Sequence, residues 1–244
     1  MKILLVNDDG IQSKGIARFA KLIKSLGEVT VVAPKTQCSG MSQRLTLFQD
    51  MELNEMSNFP VSGVRAFSLD GTPVDCVKVG LTLYPQDAPP DIIFSGINNG
   101  WNMGFDIAYS GTVGAAMEAA MNGIPAIAFS APMDAEINNI EPWFPELMKA
   151  LLPLTETEAK VWNVNFPLCP AEEVRGILWD VPVAGMQPYS ILYHQVEADG
   201  RTYIQTSVAY IAKREAQPGT DVALIAENYI TVSVHEPIVK PYRG

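Results

Sequence analysis

The apolar residues of the chain alternate between short continuous runs and stripes at helical spacing. The first run, Ile3–Val6, has no polar interruption, which is typical of a strand covered on both faces. A helical stripe follows and stops before Gly27, a residue type common at helix C-termini; the stripe consists of Ile16, Phe19, Ala20, Ile23 and Leu26. A β-branched run at Val29–Ala33 completes a strand–helix–strand unit. Such a unit predicts two parallel strands joined by a right-handed crossover.

The alternation continues to about residue 170. Thr72 and Pro73 predict a helix start, because they are followed by Asp75 in the position that completes a capping box. Two further helices are predicted at Gly111–Asn122 and Glu141–Leu152. The remaining strands of this part are predicted at Val64–Leu69, Asp91–Ser95, Ile124–Ser130 and Val161–Phe166.

The last third of the chain has a different pattern. Val174–Val181 and Ile191–Val208 are rich in alternating and β-branched residues, and Asp199-Gly200 predicts a tight hairpin turn inside the second segment. A short helix and a final strand are predicted at residues 221–227 and 229–235.

Together these elements predict an α/β protein with a doubly wound, Rossmann-like, mostly parallel sheet and a β-rich C-terminal extension. We expect a catalytic core at residues 1–170. We expect residues 171–244 to form a β-rich segment with a hairpin, a kind of appendage that often serves assembly. The 244 residues are enough to bury a core without help from a disulfide or a metal ion.

Composition and charge narrow the location and the partners of the protein. Cys38, Cys76 and Cys169 cannot all pair, and no C-x-x-C is present, so we expect reduced thiols and a cytoplasmic protein. No segment approaches the about 20 apolar residues of a membrane span, and the first apolar run is too short for a signal peptide. A net charge of −10 without a Lys/Arg run argues against a nucleic acid polymer as partner.

Two adjacent carboxylates follow the first predicted strand. Ligands of open α/β sheets bind beyond the carboxyl ends of the strands, which is where Asp8 and Asp9 lie, and Gly10 lets the chain turn there. Two bare carboxylates this close repel each other unless a cation lies between them. Alternatively, Asp8 caps the first helix while Asp9 is solvated, and the dipeptide alone does not distinguish the two hypotheses.

The other polar residues at these strand ends indicate the kind of ion. Carboxylate, serine hydroxyl and asparagine amide oxygens suit Mg²⁺, Mn²⁺ or Ca²⁺ better than Zn²⁺. The only two histidines, His194 and His235, are distant in sequence from these loops. The sequence therefore favours a hard divalent cation.

A candidate phosphate site precedes the predicted helix at Gly111–Asn122. Free backbone N–H groups at a helix N-terminus bind anions, Gly111 lets a phosphate approach closely, and Ser110 and Thr112 add hydroxyl groups. In isolation the segment fits an ordinary serine N-cap, whereas beside a divalent cation phosphate binding is favoured. The sequence has no Walker-type G-x-x-x-x-G-K-[ST] motif and no G-x-S-x-G motif, and no G-x-G-x-x-G follows the first predicted strand.

Several segments, in order along nearly the whole chain, resemble the SurE family of 5′/3′-nucleotidases. They are Asn7-Asp8-Asp9-Gly10, Val32-Ala33-Pro34 with Ser39-Gly40, Gly71-Thr72-Pro73-Val74-Asp75-Cys76-Val77, Ser95-Gly96-Ile97-Asn98 through Gly104, Tyr109-Ser110-Gly111-Thr112-Val113, Asn163-Val164-Asn165-Phe166-Pro167 and Gly219-Thr220-Asp221. The chain departs from the family pattern at its end. Asn228 stands where a glycine is usual, and His235-Glu236-Pro237 replace T-P-L.

The resemblance implies a metal-dependent phosphomonoesterase that hydrolyses nucleoside 5′- and 3′-monophosphates to nucleoside and phosphate, and also short polyphosphate. It implies one divalent ion, Mg²⁺ or Mn²⁺, held by Asp8, Asp9, Ser39 and Asn98, of which the two aspartates are also the candidate catalytic residues. It assigns phosphate binding to Ser110, Gly111 and Thr112, with Asn102 nearby. It further implies a homodimer or homotetramer that exchanges C-terminal segments.

A protein of another class is the alternative to this enzyme. An acidic pair after the first strand of such a sheet also holds Mg²⁺ in phospho-receiver domains, so a non-catalytic, receiver-like or nucleotide-sensing protein remains a hypothesis. It would need an acceptor carboxylate at a later strand end, a part that Asp70 could play. The usual lysine after the last strand has no clear counterpart, and the chain is about twice as long as a receiver domain.

Overall fold

A nine-stranded sheet forms the centre of the protein. The structure is a computed structural model that describes residues 1–132, 139–155, 160–210 and 216–237, with only the backbone at residue 155. The strands are β1 (Lys2–Val6), β2 (Glu28–Pro34), β3 (Leu53–Glu55), β4 (Arg65–Leu69), β5 (Ile92–Asn99), β6 (Ala126–Ala131), β7 (Val161–Asn165), β8 (Ile177–Leu178), β9 (Tyr189–Ala198), β10 (Arg201–Tyr210) and β11 (Ile230–His235). The helices are α1 (Lys14–Ile23), α2 (Pro73–Thr82), α3 (Gly111–Met121), α4 (Ile140–Thr155) and α5 (Asp221–Ala226), with 3-10 helices at Gly104–Tyr109 and Ala171–Glu173.

The strand order of the main sheet is β3-β4-β2-β1-β5-β6-β7-β11-β8. All neighbours from β4 to β7 run parallel, while β3 and β11 run antiparallel to β4 and β7. From β1 the chain winds outward through β2 and β4, then returns and winds the other way through β5, β6 and β7. This confirms the predicted doubly wound, mostly parallel α/β sheet. It also places the switch of winding direction between β1 and β5, where such sheets bind ligands.

Helices cover both faces of the sheet, as the apolar run of β1 predicts. Ile3 and Leu5 belong to the hydrophobic cluster that contains α1 and α4, whereas Leu4 and Val6 belong to the cluster that contains α2 and α3. Successive side chains of a strand point to opposite faces, so β1 supports both layers. The four side chains are fully buried, which fixes the position of the residues that follow β1.

One expected helix end is wrong, although a neighbouring start is right. α1 ends at Ile23 with Lys24 as its C-cap, and Gly27 is not the capping residue. A Cβ at position 27 would collide with the backbone carbonyl oxygen of Met1, so glycine allows β2 to begin close beside β1. By contrast, α2 begins with the predicted capping box, in which Thr72 and Asp75 each accept a hydrogen bond from the backbone N–H of the other.

The C-terminal third divides between the main sheet and a separate hairpin. Only Ile177–Leu178 of the expected extended segment Val174–Val181 pairs as a strand, next to β11. Among the residues that the structure describes, β9 and β10 pair only with each other, and Asp199 and Gly200 form the turn with φ of 49° and 66°, as the predicted tight turn requires. The root of the hairpin contacts the core, because Tyr189 Oη accepts a hydrogen bond from the backbone N–H of Trp101 at 3.0 Å.

Within the described ranges, no helix combines the length and the apolar character needed to cross a membrane.

Candidate active site

The turn after β1 holds Asp8 and Asp9 at the switch point of the sheet. Gly10, with φ of 94°, bends the chain there, and the Asn7 side chain braces the turn by donating to the Gly10 carbonyl oxygen at 3.1 Å and to Ser13 Oγ at 3.0 Å. Ser13 is the N-cap of α1, since its Oγ accepts from the backbone N–H three residues on. The hypothesis that Asp8 caps this helix is therefore wrong.

Asp8 is almost completely buried against the first turn of α3. Its Oδ1 accepts a hydrogen bond from Thr112 Oγ1 at 2.6 Å, and the residue as a whole is 4% exposed. A Cβ at Gly111 would lie 3.0 Å from Asp8 Cβ and 3.2 Å from Oδ2, so glycine at this position permits the close approach. Burial raises the pKa of Asp8 to about 6, the Thr112 hydrogen bond lowers it, and the charge of Asp9 raises it.

Asp9 links the β1 turn to the end of β5. Its Oδ2 accepts a hydrogen bond from the backbone N–H of Asn99 at 2.9 Å. Burial raises the pKa of Asp9, and the hydrogen bonds from Asn99 and from the Gln37 side chain oppose that rise. The neighbouring Asn98 donates its Nδ2 to the Gly100 carbonyl oxygen at 2.9 Å, which leaves the amide oxygen of Asn98 to interact with another group.

The loop after β2 reaches the same place. The backbone N–H of Cys38 donates to the carbonyl oxygen of Asp8 at 2.7 Å, which sets the next residue, Ser39, beside the β1 turn. Ser39 is exposed, and among the described residues its hydroxyl has no hydrogen-bond partner. One backbone hydrogen bond and one bond from the Asn99 N–H to the Asp9 carboxylate therefore connect the three chain segments that carry the four predicted metal ligands.

The four predicted metal ligands all offer oxygen atoms. In the ranges that the structure describes, no cluster of three or more His, Cys, Asp or Glu side chains could hold a metal ion. The predicted set contains two carboxylates, one hydroxyl and one amide. No Lys or Arg of the described ranges forms an ion pair with Asp8 or Asp9.

The segment before α3 combines a helix cap with a possible anion site. Ser110 is the N-cap, and its Oγ accepts from the backbone N–H of Val113 at 3.1 Å, which leaves its own O–H free to donate. The N–H groups of Gly111 and Thr112 belong to the first helical turn and have no intrahelical acceptor. The Thr112 hydroxyl and the Thr112 backbone N–H both donate to the Asp8 carboxylate, so the Gly111 N–H is the backbone group that remains for an anion.

Asn102 lies within a network of buried polar side chains that sequence reasoning did not assign. Its Nδ2 donates to Ser130 Oγ at 2.8 Å, and its backbone N–H donates to Asn165 Oδ1 at 2.9 Å. Its carbonyl oxygen accepts from the side-chain amides of Asn163 and Asn165 at 2.9 and 3.0 Å. Two asparagines within the otherwise apolar strand β7 were the available signal. The network pins the loop after β5 to β6 and β7.

Comparisons with known proteins identify the family of this chain. The family model described as Survival protein SurE matches residues 3–186. The protein named 5′-nucleotidase SurE from Rhizorhabdus wittichii is 35% identical over 243 residues, covering 96% of this chain and 92% of that protein. The protein of the same name from Carboxydothermus hydrogenoformans is 36% identical over 240 residues, covering 96% and 89%.

A solved structure is also similar over the whole length. The crystal structure of the SurE protein from Aquifex aeolicus matches with a TM-score of 0.81 at 33% sequence identity, covering 99% of this chain and 96% of that one. The match extends beyond the family model into the C-terminal third. With the shared motifs, the shared fold and relatives above 30% identity, the chain belongs to the SurE family.

Proposed function

We propose that this protein is a metal-dependent phosphomonoesterase that hydrolyses nucleoside 5′-monophosphates to nucleoside and phosphate. The observation that carries the proposal is the contact between the buried Asp8 carboxylate and the first turn of α3. A cation site and an anion site then adjoin each other at the switch point of the sheet. The names of the related proteins, 5′-nucleotidase SurE, support the substrate class.

The carboxylates fit one divalent cation. Asp8 is buried, Asp9 adjoins it, and the salt bridges of the described residues supply no positive side chain to either. Ser39 and Asn98 would complete the set of oxygen ligands. A bound Mg²⁺ or Mn²⁺ supplies positive charge for the phosphoryl group and lowers the pKa of a coordinated water molecule.

The residues of the chain hold and orient the phosphate. The free N–H group of Gly111 and the O–H of Ser110 would donate to phosphate oxygens and stabilise the charge that develops during attack, while Thr112 holds Asp8 beside them. Hydrolysis forms a bond from a water oxygen to phosphorus and breaks the bond from phosphorus to the nucleoside oxygen, which leaves with a proton. The proposal assigns no residue as the general base.

Further properties of the proposal follow from the family resemblance. They are the hydrolysis of 3′-monophosphates and of short polyphosphate, and the assembly into a homodimer or homotetramer through exchanged C-terminal segments. The β9–β10 hairpin supports the assembly, because it projects apolar side chains such as Ile204 and Val208, which are 59% and 66% exposed.

The receiver-like alternative is weakened by strand order. Asp70 follows β4, and β2 separates β4 from β1, so Asp70 lies two strands away from the acidic pair.

Incubation with nucleoside 5′-monophosphates in Mn²⁺ should give steady release of phosphate. Incubation with acetyl phosphate should leave no stable phosphoprotein in a mass spectrum. A stable adduct without turnover would instead indicate the receiver-like sensor.

We expect Thr112→Val to weaken metal binding while leaving the fold intact. Valine keeps the shape of threonine but removes the O–H that donates to the buried Asp8 carboxylate. Losing such a supporting hydrogen bond costs about 10- to 100-fold in metal affinity or activity. Titration of the protein with Mn²⁺, followed by electron paramagnetic resonance, would measure the change.

Two further variants control this experiment. Thr112→Ser retains the donor and should restore the affinity for Mn²⁺. Thr82→Val removes an exposed hydroxyl that donates only to the Val79 carbonyl oxygen at the end of α2, and it should bind Mn²⁺ like the wild type. Unchanged Mn²⁺ affinity in Thr112→Val would show that this hydroxyl does not position Asp8.

A further inference from the structure

His235, at the end of β11, lies on the face of the sheet that carries the polar network around Asn102. Residues two apart on a strand share a face, so His235 and Ser233 lie together, and Ser233 pairs directly with Asn163 of β7. The His235 Nε2 is 2.9 Å from Ser233 Oγ. The family pattern has threonine at position 235, so a titratable ring at this place is particular to this chain.

Hydrogen bonds continue from Ser233 to the loop after β5. Asn163 Nδ2 donates to Ser233 Oγ at 3.4 Å and to the Asn102 carbonyl oxygen at 2.9 Å. Asn102 Nδ2 has two N–H groups and gives one to Ser130 Oγ, so within the described structure the other remains for a phosphate oxygen. The series His235, Ser233, Asn163 and Asn102 is called the hydrogen-bond relay below. Its last three members are buried, which shields their hydrogen bonds from water.

The neutral ring of His235 fixes the direction of these hydrogen bonds. Ser233 Oγ accepts from Asn163, so the one proton of Ser233 goes to the unprotonated Nε2 of the ring. A protonated ring has N–H groups at both nitrogens and cannot accept that proton. Asn163 Oδ1 is buried and has no hydrogen-bond partner among the described residues, so it is the acceptor left for Ser233. Reaching it turns the Asn163 amide and withdraws the Asn163 N–H from Asn102.

Asp221 faces His235 from α5 and holds the far end of the same loop. One carboxylate oxygen accepts from the backbone N–H of Gly104 at 2.9 Å, and the other accepts from the backbone N–H of Ala184 at 2.8 Å. Burial lowers the pKa of His235 below its usual value, although the Asp221 charge opposes this. The ring is therefore neutral near pH 7 and is protonated in acid.

The other surroundings of the ring contribute little charge. On β7, His235 pairs with the apolar Val161. Among the described residues that line the cavity of about 580 Å³ beside the ring, Tyr109 is the one titratable group other than His235 itself. Glu236 follows in the sequence, and Asp221 is the charge that acts on the ring. His235 is thus the member of the relay that can change its charge near neutral pH.

We propose that His235 is a positioning residue, which in its neutral state holds Asn102 in place to receive a phosphate oxygen. The inference rests on the proposed function and adds a residue that acts on the phosphate site through the hydrogen-bond relay. By reciprocity, phosphate that binds better to the neutral state must lower the proton affinity of His235. The negative charge of phosphate, acting alone through space, would raise that affinity. The sign of the change separates the two effects.

Nuclear magnetic resonance of the histidine rings tests this coupling in the wild-type protein. The chain has two histidines, and His194 lies on the exposed hairpin with its Nε2 3.2 Å from Ser207 Oγ. We expect saturating inorganic phosphate, with Mg²⁺ present throughout, to lower the proton affinity of His235 about fivefold and to leave that of His194 unchanged. An unchanged or raised proton affinity of His235 would overturn the inference.

Variants of His235 separate positioning from a structural role. His235→Gln still offers an acceptor to Ser233 and should keep the wild-type inhibition constant of phosphate at pH 8. His235→Phe keeps a ring but has no acceptor, so we expect it to raise this constant, and KM for a nucleoside 5′-monophosphate, about tenfold with a smaller change in kcat. His194→Phe removes the corresponding histidine–serine contact on the hairpin and is the matched control.

The outcomes distinguish this inference from the proposed function. Hydrolysis of nucleotide by the wild type, without any effect of phosphate on His235, overturns the inference alone. A wild type that neither hydrolyses nucleotide nor binds phosphate overturns both. If His235→Phe does not fold, Ser233→Ala interrupts the relay at the next residue and should raise the inhibition constant of phosphate by a similar factor. A wild-type constant in the variant that folds would contradict the relay.

Discussion

Replacing Asp9 by asparagine is expected to lower phosphate release from a nucleoside 5′-monophosphate by about 10³-fold, because the site loses one of its two negative charges. Asparagine has the same size, and its amide oxygen can still accept the hydrogen bond from the Asn99 N–H that joins the β1 turn to β5. The variant therefore removes charge while retaining the local geometry. Phosphate release at saturating Mn²⁺ measures the effect, and thermal unfolding checks the fold.

A second asparagine substitution controls for the general loss of negative charge. Asp70→Asn changes an exposed carboxylate at the end of β4, two strands away from the acidic pair. It should hydrolyse the same nucleotide at the wild-type rate. Wild-type turnover in Asp9→Asn would show that Asp9 is not part of the catalytic site. Loss of turnover in Asp70→Asn would favour the receiver-like hypothesis.

Chelation is expected to abolish hydrolysis, and Mg²⁺ or Mn²⁺ is expected to restore it. Without a cation, the buried Asp8 and the adjacent Asp9 have only hydrogen-bond donors as partners in the described structure, so they cannot supply the positive charge that a phosphate ester needs. The measurement is phosphate release in EDTA, followed by addition of each metal in excess over the chelator.

Metal binding can also be followed without catalysis. A cation that binds only the folded protein raises the free energy of unfolding by about 2.7 kcal/mol when its concentration is 100 times Kd. Mn²⁺ should therefore stabilise the wild type and fail to stabilise Asp9→Asn at the same concentration. Full activity in EDTA, with no stabilisation by either metal, would contradict a metal-dependent mechanism.

Elements governed by neighbouring residues were predictable from the sequence. The capping box of α2 needs only Thr72 and Asp75, three positions apart, and the turn of the hairpin needs only Asp199 and Gly200. Gly27 shows the limit of such rules. It lies beside the Met1 carbonyl oxygen, a contact set by the pairing of β1 with β2, and local spacing contains no sign of it.

Strand propensity also overstated the length of one strand. Val174–Val181 is β-branched and apolar, yet only Ile177 and Leu178 form a regular ladder with β11, while Arg175 and Val181 make separate backbone hydrogen bonds to Asn228 and Val232. The last strand was predictable in extent, whereas its antiparallel place beside β7 follows from the folded topology.

The residue types of the site were predictable, but the hydrogen bonds among them were not. The family motifs selected Asp8 and Thr112 separately, and the bond between their side chains spans 104 positions. The prediction gave the Thr112 hydroxyl to phosphate, whereas the structure directs it to Asp8. Asn102 likewise lies against Ser130 on a strand that follows it in the chain, a contact visible only once the sheet has formed.

The self-contained pairing of β9 with β10 has a consequence for how the chain tolerates changes in length. In the part of the chain that the structure describes, no strand of the main sheet pairs with the hairpin, and Tyr189 and Tyr210 face each other in register at its root. Residues could be added or removed in matched pairs beyond these two tyrosines without altering the frame that supports Asp8 and Asp9. The β9–β10 hairpin is thus a region where insertions and deletions can accumulate while the chemistry at the switch point is preserved.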